Sequence, residues 1–566
     1  MDLISEKIVE TKSCQKCQID FDITDKDLEF YSQVSPTFEW KKYQIPTPSY
    51  CPDCRQQRRL SFRNFWKLYS RECDSSWKNI ISMYAPGTVY TVYDNDVWWW
   101  DSWDAMDYGI EYNFEKSFFQ QYGELNVKVP KFATMNVQCE DSNYANIALQ
   151  SRNCYLVFWC VRNESCLYGH IVWDSEDCLD CLYCSRCQHV AHSIDCLDCY
   201  NVVYAQDCNN CSDSSYLYYC EWCKDCFGCV GLKNKQYCIF NEQYSKADYQ
   251  KKLLELQLLN SQEVQARFEE VKLKNNIVPY IAGFQIEGCS GDYIYESKNC
   301  IYCFDTKSSE DSKYLFTSFK QLNSYDISFT WAPSQLCYEA LTIAQSHNTR
   351  FSQMVFDCSE VFYSECCYNS SYLFGCVGLR DAQYCIFNRQ YSQQEYEKLV
   401  PKIIEKMKED WEWWEFFPSS MSPFWYNETT AQAYFPLEKS EAEAARFRWS
   451  KYEAPFPKAE KVIPASKLPE NISDIPDDIL NWAIVCEVTW KPFRIVSHEL
   501  KFYRKHNLPV PKKHPDQRHA DRMSMKNPRK LLERNCDSCG IDINTTCTPE
   551  SQKLVYCDTC YDAHAY

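Results

Sequence analysis

The chain has 566 residues and a formal net charge of -18, with 45% hydrophobic and 24% charged residues. That length exceeds one hydrophobic core and predicts several domains, and that composition belongs to a folded globular chain rather than a disordered one. No apolar run approaches the roughly 20 residues that span a bilayer, and the opening MDLISEKIVETK lacks the apolar stretch of a secretory signal. A reducing, cytoplasmic setting is therefore expected. There the 37 Cys act as metal ligands or small buried hydrophobes rather than disulfides.

The N-terminal part carries the pattern Cys14-x2-Cys17-x33-Cys51-x2-Cys54. Two such pairs hold one tetrahedral zinc through four thiolates. The C-terminal part repeats it with a shorter spacer, as Cys536-x2-Cys539-x17-Cys557-x2-Cys560. Two structural Zn2+ sites are expected.

The two ends are copies of each other. Adding 463 maps CPDCRQQRRLSFRN (51–64) onto HPDQRHADRMSMKN (514–527) and Arg71, Cys73, Asp74 and Ser75 onto Arg534, Cys536, Asp537 and Ser538. Upstream, where the second copy has the shorter loop, Cys14 falls on Cys486. The ligands degenerate reciprocally. The N-terminal copy of the second site keeps only Cys73, with Ser76, Asp94 and Val97 at the other positions. The C-terminal copy of the first site keeps Cys486 and His514, with Thr489 and Gln517. A Cys/His pair falls short of the usual four ligands.

Both copies retain a basic stretch: Arg55, Arg58, Arg59, Arg63, Lys67 and Arg71 in one, and Arg518, Arg522, Lys526, Arg529, Lys530 and Arg534, preceded by Lys512 and Lys513, in the other. Steps of four place most of them on one helix face, an arrangement suited to phosphate-backbone contacts. Two other uses of that face are a solvated surface and pairing with the acidic middle of the same chain.

Between the ends, DVWWWDSWDAMDYG (96–109) reads as an interdomain plug or a binding patch. From about 139 to 245, phrases such as NCYL, DCLDC and DCFGC recur at short, even intervals, the rhythm of a parallel β-solenoid. The 12 Gly weigh against that fold, because tight corners favour Gly. FGCVGLKNKQYCIFNEQYS (227–245) returns as FGCVGLRDAQYCIFNRQYS (374–392), a shift of 147, and each copy runs into a helix, 245–274 or 392–416. Runs such as Cys220-x2-Cys223-x2-Cys226-x2-Cys229 invite an iron–sulfur reading. At the 147 shift, however, Cys187, Cys196, Cys208, Cys223 and Cys226 become Ser334, Ile343, Val355, Ser370 and Leu373, which fits a core ladder better than a cluster. The expected fold is therefore mainly β with α. Two short parallel β-solenoid-like lobes, each followed by a helix, are flanked by duplicated zinc-ribbon modules. The expected units are 1–110, 111–275, 276–416, an aromatic and Pro-rich arm at 417–478, and 479–566.

DLEFY, IPTPSYCPDCRQQRRLSFRN, SMYAP, CFGCVGL, KHNLPVPKKHPDQRH and KLVYCDTCY together resemble a family of cysteine-rich zinc-ribbon proteins from candidate-phyla-radiation bacteria. The resemblance spans essentially the whole chain, implies a bacterial cytoplasmic protein and carries no activity.

No HExxH, P-loop, GxGxxG or short Ser/His/Asp pattern occurs, and His170, His189 and His192 read as solenoid corners. The leading expectation is a non-enzymatic protein that binds structured RNA or the ribosome through its two basic zinc modules, the acidic middle limiting indiscriminate binding. The alternatives are a protein-interaction scaffold and an enzyme of thiol, iron–sulfur or glycan chemistry.

Overall fold

The computed structural model describes residues 6–64, 66–173, 179, 181–185, 199–256, 261–453 and 455–565. Cys178, Cys187, Cys196, His189 and His192 lie outside them. The middle of the chain is a parallel β-solenoid in two lobes. In the first, Asn146, Phe158, His170 and Leu182 align in successive strands, as do Tyr200, Ser212, Lys224 and Gln236. In the second, Phe304 aligns with Phe316, and Lys298 with Glu310. Residues at the same place in successive coils therefore differ by 12 in number, as the ladder bonds Asn201–Asp213 and Asn299–Asp311 also do. One extra residue enters where Ser328 aligns with Leu341. An antiparallel strand closes the end of each lobe, Glu242–Gln243 on Gln236–Ile239 and Arg389–Gln390 on Gln383–Ile386. These returns shield edges that would otherwise pair with another chain. The first lobe leads into the helices Lys246–Leu256 and Ser261–Lys274, and the second into Gln393–Glu409.

The coil has a finer period of three. Every third residue from Gln138 to Ile171, and again from Tyr293 to Phe329, has a left-handed backbone. Four such corners per coil make it four-sided, and the residue after each corner points inward. Only four side chains therefore fill each level of the lumen. The inward series Cys154, Val157, Cys160, Asn163 and Cys166 is buried throughout.

This narrow lumen explains the cysteines. A thiol is small, apolar and a weak donor. Cys154 Sγ donates to the carbonyls of Arg152 and Asn163, at 3.3 and 3.7 Å, and Cys220 Sγ makes the same pair of bonds to Tyr218 and Cys229. Serine substitutes directly: Ser318 Oγ donates to the Phe316 and Ile327 carbonyls, and Ser297 Oγ accepts from the N–H of Ser309, one coil on. Ile343, Val355, Ser370 and Leu373 hold inward positions in the second lobe, as a core ladder requires.

Most corners do without glycine, Gly228, Gly231, Gly375 and Gly378 being exceptions. Left-handed geometry costs a non-Gly residue about 1–2 kcal/mol. Ladders along the axis offset it: Asn201 donates to Asp213 at 3.0 Å, Asn299 to Asp311 at 2.7 Å, and Tyr204 stacks on Tyr216 with centroids 4.7 Å apart. Each of these pairs is one coil apart, so the repeat supplies the compensation that glycine would make unnecessary.

The terminal modules interlock with the lobes crosswise. Val92–Tyr93 of the N-terminal module pairs with Lys131–Phe132, just before the first lobe. The equivalent Leu554–Tyr556 of the C-terminal module pairs with Ile277–Pro279, just before the second. The Pro52–Leu60 helix, by contrast, lies on the second lobe, through Asp326 and Glu339, while the Pro515–Met525 helix reaches Tyr168 of the first.

Filling the lumen with a larger side chain tests this architecture. Cys367→Phe should lower stability by about 1–3 kcal/mol or more, while Cys367→Ser should cost less than about 1.5 kcal/mol. Denaturant unfolding of the two variants decides between a size limit and tolerance of any apolar residue.

Candidate metal centres and the inward-facing arginines

Four knuckles share one backbone plan. The N–H of Cys14, Cys73, Cys486 and Cys536 donates to the carbonyl five positions on (Ile19, Lys78, Lys491 and Ile541), at 2.8–3.0 Å. The fifth residue of each turn, respectively Gln18, Trp77, Trp490 and Gly540, is left-handed. A helix N-terminus faces each knuckle and contributes the other ligand positions. Cys51 and Cys54 open the Pro52–Leu60 helix, and Cys557 and Cys560 flank the start of Asp558–Ala565.

Two knuckles form complete ligand sets. Among the described residues, Cys14, Cys17, Cys51 and Cys54 make one group and Cys536, Cys539, Cys557 and Cys560 the other, with all ligand atoms of a group within 4.8 Å of one another. The sulfurs of Cys17 and Cys51 are 3.6 Å apart and those of Cys539 and Cys557 are 3.7 Å apart. A tetrahedron with metal–sulfur bonds of about 2.3 Å has edges of about 3.8 Å, so these groups fit one tetrahedral ion each.

In each group one thiol is lowered while neighbouring thiols, Cys17 and Cys54 or Cys539 and Cys557, are raised. Cys51 falls to about 5, chiefly through its hydrogen bond with Cys54. Burial pushes Cys536 up, but backbone N–H groups of Cys539, Cys557 and Ser538 outweigh it and bring the thiol to about 6.

The other two knuckles close without metal ligation by four residues. Cys73 Sγ accepts the N–H of Ser76 at 3.4 Å and of Asp94 at 3.1 Å. The second bond matches Cys557 N–H to Cys536 Sγ, 3.3 Å, in the complete copy. Cys486 Sγ likewise accepts the Thr489 N–H at 3.4 Å. Asp94 and His514, which replace ligand cysteines, cap their helices instead: Asp94 Oδ1 accepts from the N–H of Asp96 and His514 Nδ1 from that of Asp516. Burial lowers His514, the nearby Asp516 opposing, so it sits as a neutral cap.

The basic stretch faces the protein interior, which corrects the expectation of a phosphate-gripping face for most of its members. Arg55, Arg58, Arg59 and Arg63 are buried, and so are Arg518 and Arg522. Arg55 pairs with Asp326 at 2.8 Å, Arg59 bridges Asp326 at 3.1 Å and Glu339 at 3.0 Å, and Arg58 joins Glu339 at 3.1 Å to Glu415. Asp326 and Glu339 are left-handed corners of adjacent coils, so one acidic column of the solenoid receives one helix face. Arg63 lies over Phe329, 4.3 Å from the ring centroid, and burial pulls it down to about 9.

In the C-terminal copy, Arg518 reaches Glu499 at 3.6 Å and lies over Tyr168 at 4.3 Å, while Glu499 accepts from Tyr168 Oη at 2.7 Å. Lys526 and Arg529 converge on buried Asp305, where burial raises the carboxyl and the two cations more than reverse the shift. Arg71 and Arg534 make the same local pair, with Asp74 and Asp537, at 2.8 and 3.0 Å. The remainder, half-buried or exposed, is lysine. Lys67 holds Asp516 at 2.8 Å, tying the two modules together, Lys512 holds Glu470 at 2.6 Å, Lys513 holds Asp521 at 2.7 Å, and Lys530 is exposed.

The periodicity of a helix face does not reveal which way that face points. The acidic partners are also distant in sequence, 271 residues in the case of Arg55 and Asp326.

No family model matches the chain, and no curated protein matches it. Among solved structures, it is similar to a putative acetyltransferase from Desulfovibrio desulfuricans G20, at 9% identity and a TM-score of 0.09, over 44% of this chain and 59% of that one. A likeness of that size carries no argument.

Two outcomes follow. Arg59→Ala leaves Asp326 with Arg55 alone and Glu339 with Arg58 and should cost up to about 3 kcal/mol in denaturant unfolding, less than a carboxylate left with no partner would. Arg59→Lys should recover only part, because one ammonium cannot reproduce the two-sided guanidinium pairing. In metal analysis of the purified chain, Cys14→Ser should remove half of the bound metal, whereas Cys73→Ala and Cys486→Ala should leave the amount unchanged.

Proposed function

We propose that this protein is a non-enzymatic, zinc-stabilised cytoplasmic scaffold that binds a macromolecular partner on its outer surface. The observation that carries this reading is the interlock of the two modules with the two lobes. Buried arginine–carboxylate clusters join them, so the chain forms one frame whose interior polar groups serve the fold. Zinc is the ion that four thiolates with edges near 3.7 Å suit best. The thiol ladder of the lumen fits a reducing compartment.

Nucleic acid, RNA or the ribosome, is the partner we favour. Lys67, Lys512 and Lys513 on the terminal modules sit in partly exposed ion pairs worth about 0–1 kcal/mol each, which a phosphate can replace. A protein partner is the second reading, favoured by other exposed tryptophans, Trp100, Trp222 and Trp411. No helix among the described residues is long and apolar enough to cross a membrane.

Capture by the tagged full-length chain from lysate, with and without ribonuclease, tests the reading. RNA recovered only without nuclease supports the first partner class, and a protein retained after nuclease supports the second. Recovery of neither, together with turnover of a small molecule, contradicts the scaffold.

A further inference from the structure

Three exposed tryptophans occupy positions that the fold does not explain. Trp40 is fully exposed, Trp77 is 76% exposed and Trp490 75% exposed. All three are left-handed, with φ of 67°, 59° and 59°. Trp40 sits in the tight turn between Thr37–Phe38 and Lys41–Lys42, and the other two sit at the tips of the incomplete knuckles. At the same turn position the complete knuckles carry Gln18 and Gly540, and the Gly540 φ of 79° shows the residue type that such a turn favours. A tryptophan there is disfavoured by its backbone and by its exposed indole, with no packing in return.

Each indole is followed by an exposed lysine: Lys41, Lys78 and Lys491. Lys41 shares an exposed pair with Glu405 at 2.9 Å. Neither Lys78 nor Lys491 has an ion-pair partner among the described residues.

We propose that Trp40–Lys41, Trp77–Lys78 and Trp490–Lys491 are contact points for single-stranded nucleic acid, each indole stacking on a base while the adjacent ammonium meets a phosphate. The chemistry needs one π face and one cation per point, which is what each tip supplies. Protein hot spots differ: they lie in a dense ring of contacts that excludes water, whereas these indoles stand among mostly polar exposed residues, Glu39, Ser75 and Glu487, with Val488 the exposed apolar neighbour of Trp490. Single strands are favoured over duplex because duplex bases are already stacked. A net charge of -18 also disfavours a duplex more than a single strand, because the duplex has the higher phosphate charge density. The inference rests on the scaffold reading and specifies its partner; it moves the contact from the arginine helices to the turn tips.

The test is an anisotropy titration of the full-length, metal-loaded protein with a labelled oligouridylate, over a series of salt concentrations. Wild type should bind with quenching of indole emission. Its log affinity should fall with log salt at a slope of about -0.7 for each tip that the strand engages. Each of Trp77→Ala and Trp490→Ala should weaken binding about five- to 150-fold, and Trp→Phe should retain most of it. Trp77→Gly and Trp490→Gly should melt no lower than wild type and keep their metal, which separates lost binding from lost folding. Unchanged affinity in the Trp→Ala variants overturns the tips as the contact while leaving RNA binding intact. Failure of the wild type to bind, with a nuclease-resistant protein partner that the Trp→Ala variants lose, overturns nucleic acid as the occupant but not the scaffold.

Discussion

The short coil of the solenoid is the constraint on which the rest depends. With four corners in a regular coil, each level of the lumen admits four small side chains, and each must also leave the coil's carbonyls hydrogen-bonded. Cysteine and serine meet both conditions, as Cys220 and Ser318 show with the same two carbonyl contacts. The high cysteine content of the middle is then a packing outcome. The eight cysteines of the two terminal groups follow a different rule, in which two knuckle residues and two from a helix N-terminus converge within bonding range of one ion.

A narrow lumen also limits how much apolar surface the solenoid can bury internally, so it must gain stability from what packs against its outside. Aromatic side chains at or beside corners, such as Phe329, Tyr325 and Tyr338, contribute, covered by Arg63 and by Phe30 of the N-terminal module. Acidic corners contribute more specifically. Asp326, Glu339 and Asp305 are buried carboxylates, and a buried charge without a partner is heavily destabilising. The basic helices of the modules are those partners. Duplication of the module gave each lobe an entrance strand from one copy and a helix from the other, so losing either end exposes charge on the solenoid.

Much of this was legible in the sequence. The paired CxxC motifs specified the metal groups, the 463 shift exposed the duplicated ends, and the 147 shift exposed the two lobes. Replacement of Cys208 by Val355 and of Cys226 by Leu373 separated core cysteines from ligands. The period of three was hidden because its corners carry Asn, Asp, Tyr and Trp, whose left-handed geometry is stabilised only by neighbours one coil away. Low glycine therefore argued against a solenoid that is present. The arginines were legible as a helix face but not as an inward one. Their partners at Asp326 and Glu339 lie in another domain, and positive charge beside a metal site fits an internal clamp as well as an external grip. The tips Trp77 and Trp490 carried a signal that only alignment of all four knuckles brings out: a tryptophan stands where a complete knuckle has Gln18 or Gly540.

The separation of ligand cysteines from lumen cysteines is the central claim, and anomalous diffraction from crystals of the reduced, untreated protein tests it most directly. Data collected at the zinc and iron absorption edges should show two zinc peaks per chain, one inside each terminal thiolate group, and no peak along the solenoid axis. A metal peak among Cys220, Cys223, Cys226 and Cys229, or an iron signal anywhere in the lumen, would contradict the account.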